Sequence, residues 1–141
     1  MQRQNIIDLS LIELEQYCLK LGLKPFRANQ IWNWIYCFGK TNFQEMTNLD
    51  KKTRELLNES SFIFRPKINS VHQSNDGTIK WLLEMDDKSL IETVFIPQGK
   101  RGTICISSQV GCTLNCTFCN TGTQKLVRNL TTYEILGQIF T

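Results

Sequence analysis

Cys112, Cys116 and Cys119 stand in the run C-T-L-N-C-T-F-C, three thiols within eight residues. The spacing C-x3-C-x2-C supplies three thiolates from one short loop. A closed structural zinc site takes four ligands, and an ordinary iron–sulfur cluster is held by four cysteines. Three thiolates fit a four-iron cluster whose remaining iron is open to a small molecule. Iron–sulfur together with S-adenosylmethionine is one route to radical chemistry. Thiolates are soft donors suited to such clusters, and Gly111 and Gly122 bracket the loop, so its backbone can wrap a cluster closely. The competing reading is a zinc site completed by Cys105 or by His72, the sole histidine. Zinc sites of that kind usually pair their ligands as C-x2-C with a second pair, which weighs against it.

The loop needs elements to hold it. Thr103 to Ser107 reads as a short apolar strand before the loop. Thr131 or Thr132 can cap a helix after it, with Glu134 near its start and Ile135, Leu136, Ile139 and Phe140 along it. Strand, loop and helix make one β/α unit, which needs neighbours in a parallel sheet to bury both faces of its strand. A full eight-fold barrel takes about 200 residues or more, so the expectation is the front portion of a longer design.

Upstream, the period is helical. Ser10 and Glu13 give a capping-box pattern; Leu11, Leu14, Cys18 and Leu21 follow at helical spacing, and Gly22 suits the stop. Pro25 marks the start of a second helix, with Ala28, Ile31, Trp32, Ile35 and Phe38 on one face and Gly39 at its end. Asp50 is a candidate N-cap for a third helix carrying Leu56 and Leu57. Trp32, Trp34 and Tyr36 read as core and rim packing, with nucleobase stacking as the alternative. Cys18 and Cys37 read as packing residues.

From about residue 62 the period becomes two. A strand is expected around Lys67 to His72, with a turn at Asn75-Asp76-Gly77. Ile79, Trp81, Leu83 and Met85 alternate with Lys80, Leu82 and Glu84. Asp86-Asp87-Lys88 is turn material, and Leu90 to Ile96 is a second, β-branched strand of an antiparallel hairpin. Pro97 to Gly102 reads as a linker with a domain boundary. Glu92 is ambiguous. Either it shares a buried face with Leu90, Val94 and Ile96, or Ile91, Thr93 and Phe95 are buried and Glu92 is solvated.

The totals are those of an ordinary soluble domain: 41% hydrophobic, 21% charged and a net charge of +3. That charge permits nucleic-acid contact without arguing for it. No apolar run is long enough for a membrane helix, and no secretory signal is read at the start. A cytoplasmic setting with reduced thiols is expected.

Longer segments add a likeness. S-S-Q-V-G-C-T-L-N-C-T-F-C-N-T-G followed by R-N-L-T-T-Y-E-I-L-G-Q-I resembles the bacterial RNA adenine carbon-2 methyltransferases, which are radical S-adenosylmethionine enzymes acting on large-subunit ribosomal RNA and on transfer RNA. G-L-K-P-F-R-A-N-Q-I-W-N-W-I-Y and F-Q-E-M-T-N-L resemble the family's N-terminal helical domain, and I-E-T-V-F-I-P its hairpin. The resemblance implies an α+β fold. Residues 1–61 would be a helical, RNA-binding-like accessory domain and 62–101 an antiparallel β hairpin linker. Residues 102–141 would be the first β/α unit of an incomplete radical-S-adenosylmethionine barrel. It implies that Cys112, Cys116 and Cys119 ligate a [4Fe-4S] cluster whose fourth iron binds S-adenosylmethionine. Glu92 would be the proton acceptor. Cys105, which taken alone reads as a buried inert thiol, would resolve a covalent enzyme–RNA adduct by forming a disulfide. The implied partners are ribosomal and transfer RNA, with no membrane. In that family a methyl-carrying cysteine lies near the C-terminus, and no cysteine follows Cys119. The expectation is a truncated chain, inactive alone unless a separate chain supplies the rest. The alternative is an RNA- or metal-binding remnant without catalysis. Lys51, Lys52, Arg54, Arg65, Lys67, Lys100, Arg101, Lys125 and Arg128 are the candidate phosphate contacts.

Overall fold

The computed structural model describes residues 3–112 and 125–141. The chain is α+β and divides into two compact units, residues 1–64 with Phe140 and residues 65–139 with Thr141.

In the first unit, strand β1 (Gln4–Asn5) precedes helices α1 (Leu11–Lys20), α2 (Phe26–Tyr36) and α3 (Lys51–Ser60), and strand β2 (Ser61–Phe62) follows them. The Ser10 capping box forms as expected. Glu13 N donates to Ser10 Oγ at 3.3 Å, and Ser10 N donates back to Glu13 Oε2 at 2.8 Å. Gly22, at φ +74°, ends the helix and lets Leu23 N reach Cys18 O at 2.8 Å. Asp50 caps α3 by accepting from Thr53 N at 2.9 Å. α1 packs on α2, and Leu14, Cys18, Ala28, Ile31, Ile35 and Leu57 are fully buried. Trp32, Trp34 and Tyr36 are half-buried rim residues; Trp34 Nε1 donates to Asn48 Oδ1 at 2.6 Å. Two expectations fail here. α2 ends at Tyr36, so Phe38 is exposed and rests against Trp34. Cys37, beyond that end, is exposed as well, not packed. The ends of the unit meet where β1 and β2 pair in parallel, a pairing the short polar Gln4–Asn5 does not advertise.

The second unit is built on a four-stranded antiparallel meander, β3 (Lys67–Gln73), β4 (Ile79–Glu84), β5 (Leu90–Gln98) and β6 (Arg101–Cys105). Gly77 (φ +84°) and Lys88 (φ +69°) take the left-handed positions of the first two turns. Short strands β7 (Gln109–Val110) and β8 (Arg128–Asn129) pair antiparallel, and helix α4 (Thr132–Gly137) follows. The segment expected to be a linker is instead the end of β5 and a tight turn. Gln98 pairs with Arg101, and Gly99 at φ +60° makes the reversal. The strand after it therefore runs antiparallel beside β5, as an edge of the meander, and does not open a parallel sheet. Glycine beside proline marks a change of direction, and the sequence alone does not separate a hairpin turn from a linker.

Burial exceeds capping as a source of stability in the first unit. Ser10→Ala is expected to cost about 1 kcal/mol and Leu14→Ala roughly 3 kcal/mol in chemical denaturation. Equal losses would contradict this ordering.

Candidate active-site face and cysteine loop

Side chains alternate across a strand, and directly paired residues share a face. Val94 pairs with Cys105 and with Lys80, and Leu82 pairs with Glu92. Lys80, Leu82, Glu92, Val94 and Cys105 therefore lie on one face of the meander. Glu92 and Cys105 are diagonal neighbours on adjacent strands. The opposite face is the covered one: Ile91 is 4% exposed and Thr93 fully buried. This settles the ambiguity at Glu92. Its side chain is 47% exposed, and its Oε1 pairs with Lys80 Nζ at 2.9 Å. The apolar surroundings that would desolvate it are missing, because Leu90 and Ile96 are themselves exposed. Cys105 is exposed too, at the end of an edge strand, unlike Cys18, whose thiol burial pushes up to about 11, with help from the charge of Glu15.

The described residues on either side of the cysteine run are pinned together as a neck. Cys112 bridges Lys125 in parallel, Val127 N donates to Val110 O at 2.9 Å, and Leu130 N donates to Ser108 O at 2.8 Å. Gly111, at φ +76°, is required at this neck: a Cβ there would lie 2.1 Å from the Lys125 carbonyl oxygen. Cys112 is half-buried at its edge. Cys116 and Cys119 lie outside the described residues. Among the described residues no three His, Cys, Asp or Glu side chains converge as a metal site. As a donor set, three soft thiols within eight residues fit an iron–sulfur cluster.

Below the neck, Arg128 joins three elements. Its Nε donates to Asp87 Oδ2 at 2.7 Å, and Nη1 and Nη2 each donate to a Glu134 oxygen at 2.8 Å. Glu134, with its side chain 5% exposed, also accepts from Thr131 N at 2.8 Å to close the α4 capping box. The Arg128 hydrogen bonds hold the Glu134 carboxyl below its usual range, and Arg128 also holds that of Asp87 down. Arg128 is thus a structural tie and not the phosphate contact expected of it. Arg54 Nη1 donates to Gln44 O at 2.7 Å, and Arg65 Nη2 to Thr141 O at 2.9 Å. Lys52, Lys67, Lys100, Arg101 and Lys125 are exposed. Lys80 was not singled out by sequence, although drawing the β4–β5 register would have placed it beside Glu92.

Residues 4–63 match the family described as the ribosomal RNA large subunit methyltransferase N-terminal domain. The dual-specificity RNA methyltransferase RlmN of Rhodospirillum rubrum is 50% identical over 134 residues, 95% of this chain. These matches support an N-terminal portion of an RlmN-type protein. It spans 31% of the length of that relative, so it corresponds to a family member's N-terminal part. A radical SAM methyltransferase from Sphaerobacter thermophilus, known from a crystal structure, superposes with a TM-score of 0.87 at 37% identity, over 97% of this chain and 40% of that one. RlmN-type proteins are radical SAM methyltransferases. No helix among the described residues is long and apolar enough to cross a membrane.

Gly111→Ala is expected to lose roughly 2–4 kcal/mol of stability in the second unit, from left-handed strain together with the clash at Lys125, read by thermal denaturation; an unchanged midpoint would contradict the neck. The Glu134 pair has a pH signature. Because its carboxyl titrates lower when folded, the pairing stabilises above the ordinary value of 4.5 and is lost as pH falls below it. Glu134→Gln is expected to cost about 1–3 kcal/mol at neutral pH, a deficit that narrows below pH 4.5. A deficit constant with pH would contradict it.

Proposed function

We propose that this chain supplies the RNA-facing domain, the catalytic face and the cluster loop of an enzyme that methylates carbon 2 of adenine in ribosomal and transfer RNA. The observation that carries the reading is the shared face of Glu92 and Cys105, reached seven residues before Cys112. In this reading residues 1–61 engage RNA, the β3–β6 meander is the platform that carries Glu92 and Cys105, and the cysteine run that follows it holds the cofactor.

Cys112, Cys116 and Cys119 hold a [4Fe-4S] cluster, which with bound S-adenosylmethionine supplies the radical chemistry. The chain's own residues do the rest. Glu92 accepts the proton from carbon 2 of the RNA adduct, with Lys80 orienting its carboxylate. The Cys105 thiolate attacks the sulfur that bridges enzyme and adenine. A disulfide forms, the sulfur–carbon bond breaks, and its electron pair passes to the methylene carbon, which takes a proton and becomes the methyl group. The bridging cysteine of this reading is not among residues 120–141. Lys52, Lys67, Lys100, Arg101 and Lys125 are placed to meet phosphates, and the affinity they give falls with salt. Reduced thiols and RNA substrates suit a cytoplasmic setting.

Anaerobic reconstitution tests the cluster. The chain is expected to take up iron and colour in the visible, and added S-adenosylmethionine to change the electron paramagnetic resonance signal of the reduced cluster. Cys112→Ala, Cys116→Ala and Cys119→Ala should each abolish the colour, whereas Cys105→Ala should keep it. A colourless zinc protein that needs Cys105 or His72 for its metal would overturn the proposal.

A further inference from the structure

We infer that Gln138 is a positioning residue for the Glu92–Cys105 face: its buried carboxamide clamps Ser107 against Thr93 and so fixes the path of the segment that carries Cys105 past β5. The inference rests on the functional reading above, in which Glu92 and Cys105 act on the RNA.

Gln138 lies at the C-terminal end of α4 and is 1% exposed. Its Oε1 accepts from Thr93 Oγ1 and from Ser107 N, both at 2.8 Å. Its Nε2 donates to Ser107 O at 2.8 Å and to Glu134 O at 3.2 Å. The two lone pairs and two protons of one amide are all used. Ser107 in turn donates its hydroxyl to the Glu92 carbonyl oxygen at 2.7 Å.

The position of these bonds gives them their consequence. The β5–β6 ladder ends at the Val94–Cys105 pair. Two residues further on, Ser107 is held to β5 by side chains: its own hydroxyl on Glu92, and Gln138 reaching across to Thr93. Thr93 neighbours Glu92 in the chain and faces the covered side, so the clamp grips the strand from behind the catalytic face. The same amide therefore sets the stagger between Glu92 on β5 and Cys105 on β6. Few side chains could replace it. Methionine matches its length without the hydrogen-bonding capacity. Glutamate keeps the acceptor and loses both donors, setting a carboxylate against two carbonyl oxygens.

Two measurements test this. In the 141-residue chain, Q138M is expected to speed amide exchange at Ser107 at least about tenfold, with β3 and β4 amides unchanged. T93V removes one bond of the four and should speed it less; it decides the question should Q138M not fold. In the holoenzyme, a misplaced resolving thiol leaves the RNA attached. Q138M is expected to lower kcat with KM for RNA unchanged and to accumulate the covalent enzyme–RNA adduct, as C105A does. A general loss of stability would lower activity without trapping adduct. Unchanged Ser107 exchange in both variants overturns the inference, as does Q138M turning over without trapped adduct while C105A traps it. If C105A itself traps nothing, the functional reading has failed, and the exchange measurement still decides the clamp.

Discussion

The proposed site depends on one pairing, Val94 opposite Cys105. Because side chains alternate along a strand, a slip of one residue would carry Cys105 to the face of Ile91 and Thr93, away from Glu92. Three features oppose such a slip. The two-residue reversal at Gly99-Lys100 sets Gln98 against Arg101 at one end. The ring of Phe95 lies so close over Gly102 that a Cβ there would sit 2.2 Å from it, so any other residue of β6 would have to push that ring aside. At the far end Ser107 is bonded to Glu92 and Gln138. A turn, a steric gap and a buried amide thus agree on one register.

The chain flanking the cysteine run has a similar logic. It forms a two-stranded neck that tolerates no side chain at position 111, and Arg128 ties that neck to Asp87 in the β4–β5 turn and to Glu134 in α4. The electrostatic tie is partly shielded from water at Glu134, where charge-assisted hydrogen bonds hold more than exposed pairs do. The exposed Lys80–Glu92 pair is of the other kind. It contributes little to stability and leaves the Glu92 carboxylate half-exposed.

Much of this was legible in advance because it is local. The Ser10 and Asp50 caps, the Gly22 stop and the alternation of Ile79 to Met85 follow from backbone groups seeking nearby partners and from side chains alternating over a half-buried strand. The Asp86–Lys88 turn follows in the same way. What failed was non-local. Whether Gly99 ends a domain or turns a hairpin depends on Thr103 and Ile104 finding β5, which no window around the glycine contains. The face of Glu92 was undecided because both alternating sets of that strand are largely apolar. Gln138 reads as an ordinary polar residue on a short helix, and its four partners come from three separate stretches of chain. The likeness to the RNA methyltransferases supplied the roles of Glu92 and Cys105; the strand register supplied their neighbourhood.

Inter-strand nuclear Overhauser contacts in the isotopically labelled chain measure that register directly. Cross-strand contacts between Val94 and Cys105, and between Phe95 and Ile104, are the predicted result. Contacts pairing Val94 with Ile104 or Ile106 would place the Cys105 thiol on the covered face, and the account of the active site would be wrong.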